Sequence, residues 1–326
     1  MKNLGFHQID NKHQFNDSIK SRIKNLCQYN NHTGTIAVLS DHFFIIAAIY
    51  MAQLNSWLYL PAIAIIGSRQ RALATILHEA SHKTLIKNRA LNRFVGTYLS
   101  GYLIFQTWNA YSQSHVISHH TKLGSPEYDP DLEHYIKAGV FNEITKEQFF
   151  WRYLVQPILC LNAFPTTRYL LVNRLARNTS RSEALKMTVA LAAFIGMGSF
   201  LTDWRFFLIY WLVPYITFFQ IITWFIELAE HYPLIKGAKS DLHATRNRFS
   251  HPIEAFFSAI HAENFHLIHH LFPGIPFWNL RRAHQILLED PEYAQLNARF
   301  GGIFLSGNHV DSKWKKLASS PQHHEL

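Results

Sequence analysis

Cysteine is scarce: the 326 residues include two, Cys27 and Cys160, far apart and in no CxxC spacing. That excludes a disulfide framework and a structural zinc knuckle, both of which need paired cysteines. The same scarcity leaves no CxxCH stretch for haem attachment and no ligand set for an iron–sulfur cluster. A GxGxxG dinucleotide loop is also missing. Any redox chemistry here would draw its electrons from outside the chain. No apolar run follows a short basic start, so a cleavable signal peptide is not expected. Internal repeats and low-complexity tracts are absent too. Acidic residues are the minority, 22 against 31 Lys and Arg, for a formal net charge of +9. The basic residues flank apolar segments and form no continuous block, which points to an anionic membrane surface and away from nucleic acid.

What is present in quantity is apolar sequence, gathered into blocks. The apolar share of 48% and mean hydropathy of −0.06 are ordinary for a soluble chain, but they average over unlike segments. Residues 1–33 are polar and basic, with a stretch at 15–26 that suits either a helix on a membrane surface or a plain soluble helix. The first apolar block runs over 42–66 and continues past Arg69 and Arg71 to Leu77. At about 20 residues per crossing, it holds two spans joined near 55–61, or one span and a re-entrant piece. Further blocks cover 184–201 and 206–226, with Asp203 and Arg205 in the turn between them. Residues 94–108 and 149–164 are apolar but interrupted, and read as interfacial or buried helices. Lys and Arg gather in the N-terminal segment, in 69–93 and in 168–186, while the tips near 53–58 and 202–205 carry almost none. The positive-inside rule then puts both termini and the long loops in the cytoplasm. The expected fold is all-α: an integral membrane helical bundle of about four transmembrane helices, with a cytoplasmic helical cap. The expected divisions are an N-terminal cytoplasmic arm (1–40), a membrane domain (41–290) and a C-terminal cytoplasmic tail (291–326). A bacterial cell membrane is the expected location.

Histidine is the unusual abundance, with 21 residues. It is the commonest metal ligand, and here it falls into three clusters: His78/His82, His115/His119/His120 and His266/His269/His270. On a helix, positions i and i+4 share a face, as do i and i+3. His78 and His82 can therefore aim at one point, as can His115 and His119, with His120 turned to one side. Each cluster alone supplies too few ligands to enclose a metal pair. Together they offer eight imidazoles, more than a structural or a catalytic zinc site takes, which argues for two metals. Imidazole suits iron, zinc, copper and nickel; oxidation of a lipid would exclude zinc, which has no redox chemistry. His7, His13, His32, His323 and His324 sit in the polar arm or tail and read as incidental.

The order HxxxH, HxxxHH, HxxHH resembles the three histidine boxes of membrane fatty acid desaturases. The resemblance covers residues 42–288 and includes the run His269-His270-Leu271-Phe272-Pro273-Gly274-Ile275-Pro276. It implies that His78, His82, His115, His119, His120, His266, His269 and His270 ligate two iron ions, cycling between Fe2+ and Fe3+, with O2 as co-substrate. It also implies an extra ligand just after the last span, which His231 fits. Glu227, one turn earlier, would bind metal directly or through water, where related enzymes can use Asn. His261 is a further candidate, as a ligand or behind one. Asp129, Asp131 and Glu263 are candidates for holding a ligand imidazole by its other nitrogen. The implied reaction puts a double bond into a fatty acyl or similar lipid chain, in a slot lined by apolar spans, with Trp108, Tyr111 and Trp224 near it. A fused cytochrome b5 module would show a His-Pro-Gly-Gly stretch, and none is here. A separate donor, a ferredoxin or cytochrome b5, is implied, and a basic face suits an acidic donor.

Three other readings share parts of the pattern. His78-Glu79-xx-His82 matches the HExxH of zinc metalloproteases, a reading that leaves the second and third clusters without purpose. A lipid or carotenoid hydroxylase would begin with the same hydrogen abstraction, although sterol-type hydroxylases favour HxxHH in the second box. Desaturation of a small carrier-bound or amino-acid-derived metabolite fits the same boxes.

Overall fold

A computed structural model of the chain describes residues 6–319. Among the described residues the structure is helical. It contains no strand, only an isolated bridge between Ser250 and Ser306. The elements that matter for the site are α1 (Asp17–Lys24), α2 (Thr33–Leu54), α3 (Tyr59–Ser81), α4 (Arg89–Tyr98), α5 (Pro130–Lys137), α6 (Arg181–Leu201), α7 (Phe218–His231), α8 (His266–Leu271), α9 (Leu280–Leu287), α10 (Pro291–Asn297) and α11 (Lys313–Ser319). Three helical stretches are long and apolar enough to cross a membrane: Thr33–Leu54, Arg181–Leu201 and Phe207–His231. Helix α3 has the length, but Arg69, Arg71 and Glu79 lower its hydropathy, so three stretches meet the condition where about four were expected. The chain divides into two compact units.

One unit comprises Asn30–Ser114 and Gln156–Thr223. In it, α2 and α3 pack against each other across the short turn Ser56–Leu58, so the first apolar block is two helices. The buried positions of α2 are mostly small or β-branched (Ala37, Val38, Ile45, Ala48, Ile49, Ala52). Its other side leaves Ile36, Phe43, Ile46 and Tyr50 uncovered. Arg69, a charge inside an apolar block, is met by Asp41 of α2 at 3.6 Å and lies 4.8 Å from the Phe44 ring centroid. Helix α4 fastens the far end of α3. Asn92 donates from Nδ2 to the Ala80 carbonyl (2.8 Å) and accepts the Ile86 amide (3.0 Å). Gly96 allows the approach: a Cβ there would stand 2.4 Å from Ala80 Cβ. Of the most apolar window of α6, only 6% is buried.

The other unit comprises the described residues of Met1–Tyr29 and Trp224–Leu326, with His115–Val155. Phe15, Ile19 and Ile23 bury the apolar face of α1 in one core with Leu267 and Ile268 of α8, Leu280, Ala283 and Leu287 of α9, and Tyr293 of α10. Helix α1 therefore behaves as the soluble helix of the two readings, with its apolar side already covered. Arg22 clasps Glu289 with two bonds of 2.6 and 2.7 Å. His13 lies 3.2 Å from Asp290 and 3.3 Å from Glu292. Residues 291–319 pack in the same unit, where Trp314 stacks on Phe304. His323 and His324 lie outside the described residues.

Candidate metal centre

The second histidine cluster lies on Ser112–His119, a π-helical segment. On an α-helix, at 100° per residue, His120 would stand about 140° around the axis from His115. A π turn spreads its residues over a wider circle and brings the two together: the His115 and His120 ring centroids are 4.9 Å apart, and His115 and His119 are 5.1 Å apart. The expectation that His120 turns aside is corrected by this one change of helical pitch.

Two acids stand behind these rings. Asp129 caps α5, accepting the amides of Asp131 and Leu132, and its Oδ1 also lies 3.0 Å from His119 Nδ1. A carboxylate only accepts, so His119 donates from Nδ1 and leaves Nε2 to ligate. Burial opposes a proton on His119, but Asp129, then Asp131 and Glu227, outweigh it and raise its pKa to about 9. Asp131 Oδ2 lies 3.6 Å from His115 Nδ1 and 3.7 Å from His119 Nδ1.

In the same unit, α7 ends on His231 and α8 carries the third cluster. His266 Nε2 is 2.9 Å from His231 Nε2 and 3.0 Å from His270 Nε2. His269 Nε2 is 3.0 Å from His120 Nε2. Two all-histidine groups of ligand atoms result, each within 4.8 Å of one another: His119, His231 and His270, and His115, His120 and His269; His115 and His119 also form such a group with Asp131. A ring nitrogen carries one proton or one lone pair, so His266 Nε2 cannot satisfy two facing nitrogens in kind. A shared cation can: two imidazole nitrogens, each about 2.1 Å from one cation and at right angles, are about 3.0 Å apart. Burial, then the neighbouring His120, His266, His119 and His231, hold His270 well below the ordinary imidazole range. Neutral imidazole is the ligating form. The donor set, all nitrogen with acids behind it, fits a redox-capable metal of the first transition row.

The first cluster lies in the other unit, at the end of α3. The His78 and His82 rings are 4.8 Å apart, so they converge as i, i+4 spacing predicts. Glu79 is buried, with Oε1 3.3 Å from His78 Nδ1 and Oε2 accepting from Thr84 Oγ1 at 2.8 Å. Tyr111 lies beside this cluster, 6.5 Å from the His78 ring, with Arg174 over its face. Trp108 takes Arg93 over its ring in the same unit.

The remaining candidates fall in the histidine-rich unit. Glu227, one helical turn before His231, lines a cavity of about 20 Å3 with His119, Asp129, Asp131 and His231, room for one water-sized species. Trp224 is buried and donates to the Tyr153 carbonyl at 3.0 Å. Its polar edge is taken up by the backbone. His261 joins none of the ligand groups; it has a left-handed backbone (φ 56°) and rests 5.3 Å from the Phe277 ring. Glu263 contributes to none of them either.

The family model described as Fatty acid desaturase matches residues 55–301. This chain belongs to the fatty acid desaturase family. It is 37% identical over 304 residues (90% of this chain, 86% of the relative) to the dihydrorhizobitoxine desaturase of Bradyrhizobium elkanii. It is 26% identical over 251 residues (71% and 68%) to the sn-1 acyl-lipid omega-3 desaturase (ferredoxin) of Synechocystis sp.. It is also 26% identical over 289 residues to a Delta(5) fatty acid desaturase of Caenorhabditis elegans, covering 77% of this chain and 62% of that one. The protein is a desaturase-type oxidoreductase, metal-dependent and oxygen-using, and the metalloprotease reading of His78-Glu79-xx-His82 falls away.

Within this desaturase, one supporting residue is not marked by the spacing of the boxes. Glu230, fully buried, puts Oε2 3.3 Å from His266 Nδ1 and accepts from Arg248 Nε on Oε1 at 2.9 Å. Its place between Glu227 and His231 on an amphipathic helix was the available signal. Its partner Arg248 lies 18 residues away, and the spacing of the boxes does not announce it.

Proposed function

We propose that this desaturase holds two irons on the histidines of its three boxes together with His231, and puts a double bond into an acyl chain at a membrane. The observation that carries the proposal is the crowding of His266 Nε2 against His231 Nε2 and His270 Nε2 at 2.9 and 3.0 Å. The balanced reaction takes –CH2–CH2–, O2, two electrons and two protons to –CH=CH– and two waters. An iron pair supplies the oxidising power that side-chain acids and bases lack toward an alkyl chain. The chain's own residues orient and exclude. Asp129, Asp131 and Glu230 aim the rings of His119, His115 and His266, and Glu79 aims His78. Glu227 sits in a cavity too small for bulk water, where it would bind metal through one water or directly. His261 would act only indirectly, through the loop before α8.

The uncovered α6 and the apolar stretches Thr33–Leu54 and Phe207–His231 support an integral membrane protein, with α3 as a fourth span. The Lys and Arg distribution supports boxes and termini on the cytoplasmic side. Both electrons would come from a separate donor. A ferredoxin is favoured over a cytochrome b5, because the name of the Synechocystis relative specifies ferredoxin.

A second reading concerns the substrate alone. The 37% identity over 90% of the chain is to a desaturase named for a substrate other than a fatty acid or lipid. That favours a small metabolite with a saturated carbon chain. The test is reconstitution of the purified protein with reduced ferredoxin and O2, with metal analysis in parallel. About two irons per chain and a product lighter by two hydrogens are expected. One zinc per chain, or a product heavier by one oxygen, overturns the proposal, and the substrate consumed decides between acyl lipid and small metabolite.

A further inference from the structure

The histidine-rich unit contains a second cavity, of about 300 Å3, walled by residues of 246–248, 296–302 and 311–316. Arg246, Arg248, Arg299, Lys313 and Lys316 line it, and among the described residues Asp311 is the one acid in its lining. Asp311 Oδ1 is already 2.6 Å from Lys315 Nζ, and Arg248 is neutralised by Glu230. Arg246 and Lys313 are 7% and 6% exposed, and both donate to one oxygen, the Tyr232 carbonyl, at 2.5 and 2.7 Å. Lys316 donates to the Arg299 carbonyl. Arg246 Nε is buried and has no acceptor among the described residues.

This is an expensive arrangement in the absence of an anion. A buried donor with no acceptor costs its desolvation, and two buried cations sharing one carbonyl repel each other. Burial lowers Arg246 to a pKa of about 9 and Lys313 well below the ordinary range. The wall is rigid. Glu254 accepts the amides of Ile303, Phe304 and Leu305, each at 2.7 Å, and the Lys313 amide donates to the Gly302 carbonyl at 2.9 Å. Guanidinium forks match the oxygens of a phosphate, and the volume is at the low end of small-ligand sites.

We propose that the cavity of Arg246, Arg299, Lys313 and Lys316 binds a phosphate-bearing anion at a site separate from the histidine centre. The Arg246 amide donates to the Glu230 carbonyl at 3.1 Å, so a ligand on Arg246 braces the segment whose next-but-one residue, Arg248, holds Glu230 behind His266.

The experiment titrates inorganic pyrophosphate into the full-length protein in neutral detergent, at ionic strength fixed with sodium chloride. Binding is read directly, so the result does not depend on whether the desaturase is active. Saturable binding is expected. Arg299→Gln and Lys316→Gln, at solvent-accessible positions that the fold tolerates, should each weaken it about tenfold, the loss of one charge-assisted bond. A parallel arm compares nanodiscs of phosphatidylcholine with and without phosphatidate. Stabilisation by phosphatidate alone makes the ligand a lipid headgroup; binding of pyrophosphate makes it a soluble phosphate. Failure of both, equal binding by the Gln variants, or an effect of these variants confined to ferredoxin binding, overturns the proposal.

Discussion

Arg248 Nε donates to Glu230 Oε1 at 2.9 Å, with the two side chains 1% and 0% exposed. Neither charge is hydrated, so each depends on the other, and the second carboxylate oxygen of Glu230 faces His266 Nδ1 at 3.3 Å. The ion pair thus doubles as a clamp on one ring of the third box.

Removing the acid should separate those two duties. Glu230→Ala leaves a buried guanidinium uncompensated, at a cost of about 3–5 kcal/mol, read as a lowered thermal midpoint in detergent. Glu230→Gln keeps the volume and one acceptor. It should unfold closer to the parent while losing metal about ten- to a hundredfold more readily to a chelator. Equal metal retention by parent and Gln variant would end the clamp interpretation.

Asp129 is expected to act on His119 in the same way. Asp129→Asn keeps an oxygen for the amides that cap α5, so the helix should persist by circular dichroism. The amide no longer fixes the charge state of the ring, and metal affinity should fall by about one to two orders of magnitude. His119→Ala should lose metal altogether.

Helix α6 offers a test of the membrane assignment. Val189, 61% exposed on an otherwise apolar helix, would face hydrocarbon. Val189→Lys should then cost about 2.5–3.5 kcal/mol of insertion and shift protein from the carbonate-resistant membrane fraction to the soluble or degraded one. A helix in water would tolerate the change.

His284 carries a pH dependence away from the metal centre. Its Nδ1 lies 2.7 Å from the Tyr293 hydroxyl, which itself receives Asn247 Nδ2. Burial, then Arg281, lower its pKa from 6.5 to about 4. The unfolded chain therefore binds the proton more readily between those limits. Stability from this residue should be intact above pH 6.5, fall as pH drops toward 4, and level off below. With allowance for its partial exposure, about 1–2 kcal/mol is at stake. The difference in thermal midpoint between parent and His284→Gln across that range isolates it; parallel curves would refute it.

The boxes were legible because ligand spacing is local. His78 and His82 face one way on any α-helix, whatever surrounds them, and the apolar blocks announce α2, α6 and α7 by composition alone. Two kinds of information were hidden. Pairings across sequence, such as Arg248 with Glu230 or Asn92 with Ala80, leave no periodic trace. Local pitch was hidden too: nothing in Ser112–His119 distinguishes a π turn from an α turn, so spacing alone turns His120 to one side of His115 and His119. Helix α1 was ambiguous for a third reason. A short amphipathic pattern states that a face is covered, but leaves open whether lipid or protein covers it.

The π-helical turn also separates two kinds of sequence change. Substituting Val116, Ile117 or Ser118 leaves the number of residues in the loop unchanged, and with it the angle between His115 and His120. Deleting any one of them would return the segment to α pitch, where the present His120 would follow His115 by only four residues and stand about 40° from it. The extra residue and the wider turn offset each other: the stretch is an α-helix lengthened by one residue whose histidines still face one way.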